Sequence, residues 1–152
     1  MKPLIVLVLV FVFSLIMTKL THEEWGYTLS ANIAMCAMLC FTAMGHFKFA
    51  PGMAMMVPEF IPFKKAVVFI TGVAEIILGI ALLFTAYRQA AGITLVVLFI
   101  LMLPANISAA QRRVDYEKAD YNGKGLRYLW FRVPMQVFLI VWVWYFSIVN
   151  KM

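Results

Sequence analysis

The chain has 152 residues, of which 64% are apolar and only 13% charged, and it carries a net charge of +6. A soluble domain carries roughly 25% charged residues, so this sequence cannot clothe a water-facing surface and reads as one domain, residues 1–152, embedded in a membrane. The basic residues stand in the gaps between apolar runs, which points to membrane orientation rather than to nucleic acid.

Five apolar runs follow in chain order, at about 3–18, 28–47, 66–87, 90–110 and 133–149. A bilayer core of about 30 Å needs about 20 helical residues. The first run is short, but Lys2 and Lys19 at its ends can reach the interface with their long stems. It is also longer than a secretory h-region, and no small-residue cleavage site precedes residues 21–25, so it is expected to stay as a helix. The expectation is an all-α transmembrane fold of five spans.

Counting positive charges on alternate sides fixes the orientation. Ten lie on one side, from Lys2 to Arg132, against Lys19, Arg88 and Lys151 on the other. That imbalance predicts a cytoplasmic N-terminus and an external C-terminus. Two loops then face the cytoplasm. Residues 48–65 hold Pro51, Pro58 and Pro62, which exclude one continuous helix, yet they are too apolar for a solvated loop. This stretch is expected either to lie along the interface or to fold back under the bundle, where it could cover an opening. Residues 111–132 are hydrophilic, with a turn signal at Asn122-Gly123.

Polar groups inside apolar runs are costly and need a partner or a purpose. The sharpest is Glu75, about 13 Å into the third run, with Gly72 and Gly79 on its face to admit a neighbouring backbone. On the second run Asn32, Cys36, Ala43 and His46 fall within about 40° of one another. One histidine makes no metal site, and Cys36 and Cys40, at i and i+4, are not a C-x-x-C redox pair. Pro104 kinks the fourth run beside Asn106, leaving the Ile100 carbonyl without its usual donor, and Arg132 and Gln136 share a face at the start of the fifth. His46, Asn106, Arg132 and Gln136 all fall in the cytoplasmic half, with Glu75 deeper. The expected site is a hollow open to the cytoplasm and floored by Glu75; Asn32 and Cys36 are secondary candidates.

The ordered runs A-M-G-H-F-K-F (43–49), M-M-V-P-E-F-I-P-F-K-K (55–65), T-G-V-A-E-I-I-L-G (71–79), L-P-A-N-I (103–107) and L-W-F-R-V-P-M-Q (129–136) resemble the DoxX-like family of small membrane proteins. The resemblance spans about residues 28–150. It implies a four-helix bundle, to which the first helix is an addition, and carries over the positions His46, Glu75, Asn106, Arg132 and Gln136 without assigning them roles. Members are associated with membrane redox systems, and distant relatives with receptor assembly; the expected location of this chain is a bacterial inner membrane. The expected function is a membrane component of a redox system that binds a quinone-like or other amphipathic small molecule, with membrane lipids and a redox protein as partners. The alternative is a non-enzymatic assembly factor for a client membrane protein, its polar helix faces holding the client's helices.

Overall fold

A computed structural model describes residues 2–22 and 25–150; Lys151, counted above, lies outside the described residues. The described chain is helical throughout, with one isolated bridge between Asp115 and Asp120. Six helices follow in order: α1 (Lys2–His22), α2 (Tyr27–Lys48), α3 (Ala50–Met56), α4 (Lys64–Ala81), α5 (Thr85–Gln111) and α6 (Arg127–Val143), the last continuing as a π-helical end, Trp144–Val149. Four of them, α1, α2, α5 and α6 with its π end, are long and apolar enough to cross a membrane. Helix α4 has 18 residues, and Lys64, Lys65 and Glu75 fall among them. At 1.5 Å per residue it still reaches about 27 Å.

Two boundaries differ from the expectation. The break between the third and fourth runs falls at Leu82–Phe84, not at Arg88–Gln89, so Arg88 lies inside α5. Arg88 is buried and its Nε donates to the Leu82 carbonyl, 3.1 Å away. A cation that satisfies a helix-end carbonyl can belong to the helix hairpin it closes, and charge alone misplaced this loop. Helix α6 begins at Arg127, six residues before the apolar run, because an interfacial helix turn needs no apolar side chains.

Helix α2 is the centre of the bundle, touching α1, α4 and the α6 end, while α5 closes the ring between α4 and α6. Leu7, Met35, Met38, Leu39, Leu95 and Val143 form the core. Helix α1 leans on the outside of α2, where Leu7 is fully buried and Phe11 meets the Trp142 ring edge-on at 5.0 Å. Helices in lipid gain nothing from mere apolarity, so close backbone approach and interhelical hydrogen bonds must hold them. Both are present. Gly72 and Gly79 of α4 are buried against α2. Ser147 donates to Asn32 Oδ1 at 2.7 Å, and Trp142 Nε1 donates to the Ala31 carbonyl at 3.3 Å. The outer faces stay apolar, with Leu9, Phe13 and Leu101 each about two-thirds exposed, which suits lipid and not water.

Of the two expected courses for the proline-rich stretch, the structure shows it packed against α2, α4 and α5 at the end of the bundle, and half of it is helical. Pro51 sits in the first turn of α3, where its missing N–H costs nothing. Arg112 of α5 ties the following turn down: it donates to the Val57 carbonyl at 3.1 Å and pairs with Glu59 at 3.6 Å.

Candidate functional site

At the end of the bundle where Lys2, Lys48 and the long hydrophilic loop lie, the helices part around a cavity of about 430 Å³. His46 of α2, Glu75 of α4, Asn106 of α5, and Arg132 and Gln136 of α6 all line it. The five principal residues of the sequence reading therefore meet in one space. Its remaining wall is mostly apolar, from Met38, Leu39, Phe99, Met102 and Leu139. A volume of this size falls in the range of small-molecule sites.

Glu75 is at the deep end, 2% exposed. Its position follows from the neighbouring glycine, since a Cβ on Gly72 would lie 2.8 Å from His46 Cβ. Only a bare backbone lets α2 come close enough to bring the ring to the carboxyl group. The His46 Nε2 to Glu75 Oε1 distance is 3.6 Å. The other ring nitrogen, Nδ1, lies 3.1 Å from the Val68 carbonyl, which can only accept. When Nδ1 donates to Val68 the Nε2 lone pair faces Glu75; when Nδ1 accepts from the Thr71 hydroxyl, 3.2 Å away, Nε2 carries the proton toward Glu75.

Two threonines absent from the sequence reading complete this pair. Thr42 contacts Glu75 Oε2 at 2.9 Å and the Leu39 carbonyl at the same distance. Its single hydroxyl hydrogen serves either acceptor. It can donate to an ionised carboxylate, or donate to Leu39 and accept from a protonated acid. Thr71 stands 3.2 Å from His46 Nδ1 and has its own alternative acceptors in the Val67 and Val68 carbonyls. Both protonation states of the pair thus find partners without moving the backbone. The signal was in the sequence: Thr42 and Thr71 lie one helical turn before His46 and Glu75.

Across the cavity, Asn106 donates to Gln136 Oε1 at 3.3 Å, and the Gln136 amide donates to the Phe99 carbonyl. The carbonyl reached is Phe99's, one residue before the Ile100 that the proline rule singled out. Helix α5 runs on through Pro104 without a break, and the missing proline N–H leaves its vacancy at Ile100 rather than at the carbonyl that Gln136 uses.

Arg132 forms the rim. Its guanidinium lies 4.9 Å from the Tyr128 ring and 5.8 Å from the Tyr116 ring, and its charge acts on both His46 and Glu75. Burial holds the Tyr116 phenol above its ordinary value, though Arg132 pulls the other way. The cover over the cavity comes from two loops. Phe49 and Met53 bring in the proline-rich stretch, as one of its two expected courses allowed, and Tyr116 and Glu117 bring in the hydrophilic loop, which no sequence signal suggested. The two loops touch directly: a Cβ on Gly52 would fall 2.0 Å from the Tyr116 carbonyl oxygen. Pro3 of α1 also lines the mouth, so the added helix takes part in the site.

The secondary candidates lie elsewhere. Asn32 is buried, bonded to the Thr28 carbonyl at 2.8 Å and to Ser147, and so fastens α2 to the π-helical end. Cys36 faces Gly79 with its backbone and stays outside the cavity. They share a face with His46, but 14 and 10 residues separate them from it along the helix. No cluster of three metal-ligating side chains occurs among the described residues.

Residues 35–147 match the family model described as Domain of unknown function (DUF8561). No curated protein and no solved structure matches the chain. The matched stretch holds the five polar cavity residues of the sequence reading and leaves out all of α1 and Asn32. The chain belongs to the DUF8561 family.

Proposed function

We propose that this protein is a five-span inner-membrane protein, DoxX-like in kind, that binds a quinone-like or other amphipathic small molecule as the membrane component of a redox system. In this reading α4 is the fifth span, the N-terminus and the cavity mouth face the cytoplasm, and the C-terminus is external. The ten-to-three division of positive charge supports that orientation.

The observation that carries the function is the convergence of a carboxyl, an imidazole and two amides in a cavity whose remaining wall is mostly apolar, with charged side chains such as Arg132 at its rim. A quinone reduced by two electrons takes up two protons, one on each carbonyl oxygen. The electrons come from a partner redox protein, and the Glu75–His46 pair supplies or stores a proton beside the oxygen that receives it. The Asn106 and Gln136 amides offer hydrogen bonds to a ring substituent. The ligand has a route in from lipid as well as from water. Met44 lines the cavity and is 58% exposed on the outer face of α2, in the position of a side door between helices.

The test is saturable binding of decylbenzoquinone to purified protein, with Glu75→Gln beside it. The variant keeps shape and loses the acid, so binding weakens at least about tenfold, the effect of one charge-assisted hydrogen bond. Absence of saturable binding in both proteins would refute the reading. The alternative, an assembly factor for client helices, draws less support from the fold, because the glycine face it would present is already occupied by α2. It predicts a copurifying membrane protein whose recovery is independent of Glu75.

A further inference from the structure

A second cavity, about 510 Å³, adjoins the first at the basic end of the bundle. Lys2 of α1, Lys124 of the hydrophilic loop, and Arg127 and Arg132 of α6 surround it. Four cations from three separate parts of the chain face one space. Two acids, Asp115 and Glu117, are also there, but Asp115 Oδ1 already accepts from the Glu117 and Lys118 backbone N–H groups at 3.0 and 3.4 Å. The excess is positive. Apolar side chains, Pro3, Phe131 and Met135, are also part of the lining. Beside it Trp130 is 84% exposed, as suits a ring at the level of lipid headgroups.

A soluble anion needs only the basic side chains. A phospholipid uses both kinds, its phosphate among the cations and its first acyl carbons along Phe131 and Met135. We infer that this cavity is a binding site for the headgroup of an anionic phospholipid from the cytoplasmic leaflet, adjoining the Glu75 cavity and sharing Lys2, Pro3, Tyr116, Glu117, Arg132 and Met135 with it, while Lys124 and Arg127 belong to this one alone. The site rests on the membrane-spanning reading and is independent of what the deeper cavity holds.

The test is native mass spectrometry of detergent-solubilised protein titrated with phosphatidylglycerol or with phosphatidylcholine. Phosphatidylglycerol is expected to bind preferentially. Lys124→Gln with Arg127→Gln should weaken it about thirtyfold, about fivefold for each cation lost. Both side chains are exposed and outside the Glu75 cavity, so the same double variant should keep wild-type decylbenzoquinone affinity, which shows that the bundle is folded. Lys64→Gln with Lys65→Gln removes two cations from another part of the same end and should leave lipid binding unchanged. Equal binding of the two lipids, or equal losses in the two double variants, would overturn the site. Displacement of phosphatidylglycerol by millimolar inorganic phosphate would overturn the lipid assignment. Failure of quinone binding with phosphatidylglycerol selectivity intact would refute only the redox reading.

Discussion

Gly72→Ala adds one methyl group where α4 crosses α2. The new Cβ would stand 2.8 Å from His46 Cβ and 3.4 Å from Phe47 Cε1. The first contact must open by about 0.6 Å to become ordinary, and His46 Cβ is fixed to its backbone, so the helices themselves must separate. Overpacking of this kind costs about 1–3 kcal/mol. Replacing a mid-helix glycine by alanine returns up to about 1 kcal/mol. The net result is a loss of up to about 2 kcal/mol. Gly79→Ala is the internal control, since its nearest neighbours, Cys36 Cα and Leu39 Cβ, are already at 3.4 Å. There the helix gain stands almost alone, and stability should rise slightly. Unfolding in mixed micelles of increasing SDS content measures both. The two variants should differ by about 1–3 kcal/mol, with Gly72→Ala the weaker, and Gly72→Ala should also weaken ligand binding by moving His46 away from Glu75. Equal stability of the two would refute the α2–α4 approach on which the site depends.

Glu75→Leu should unfold within about 1 kcal/mol of the wild type, because Thr42 keeps the Leu39 carbonyl and His46 keeps that of Val68; a loss above about 3 kcal/mol in the same assay would reveal a buried ion pair instead. Gln136→Leu strands the Phe99 carbonyl and the Asn106 amide, and should cost about 2 kcal/mol or more, while unchanged stability would remove that hydrogen-bonded chain. In a background with Cys36 and Cys40 replaced by alanine, Thr85→Cys should react with a membrane-impermeant maleimide on intact cells and Lys118→Cys should not; the reverse pattern would invert the topology. The raised Tyr116 phenol favours the folded state below its unfolded value of 10.0, and that share of stability is lost as pH climbs through the folded value, so Tyr116→Phe should flatten the alkaline limb of a thermal-stability profile.

Length and hydropathy located the helices because a bilayer-spanning helix needs both, and four of the five apolar runs are helical from end to end, the third being broken at Leu82–Phe84. They located the ends less well where a polar side chain serves the backbone. Arg88 looked like loop punctuation and is instead the donor that closes the α4–α5 turn. Pro51 looked like a breaker and opens a helix. Both residues have two structural uses, and only the neighbouring carbonyls decide between them. The packing of α1 was not legible at all, since an apolar helix with a lone buried leucine and a few aromatic contacts carries no signature of its partner.

The site was legible to the extent that depth constrains it. Polar groups in lipid cannot be left facing acyl chains, so His46, Glu75, Asn106 and Gln136, placed on four helices, had to find one another. The same reasoning overreached for Asn32, whose need for partners is met by Ser147 and two carbonyls at the far end of the bundle. Burial demands a partner and does not say of what kind. What separates the two cases is completeness. Asn32 has its bonds filled by the fold. The Glu75–His46 pair has a threonine on each side with a choice of acceptors, a 3.6 Å gap between its own atoms, and a cavity in front of it. A group built only to glue helices needs one set of hydrogen bonds; a group flanked by hydroxyls that can turn either way is suited to gaining and losing a proton in place.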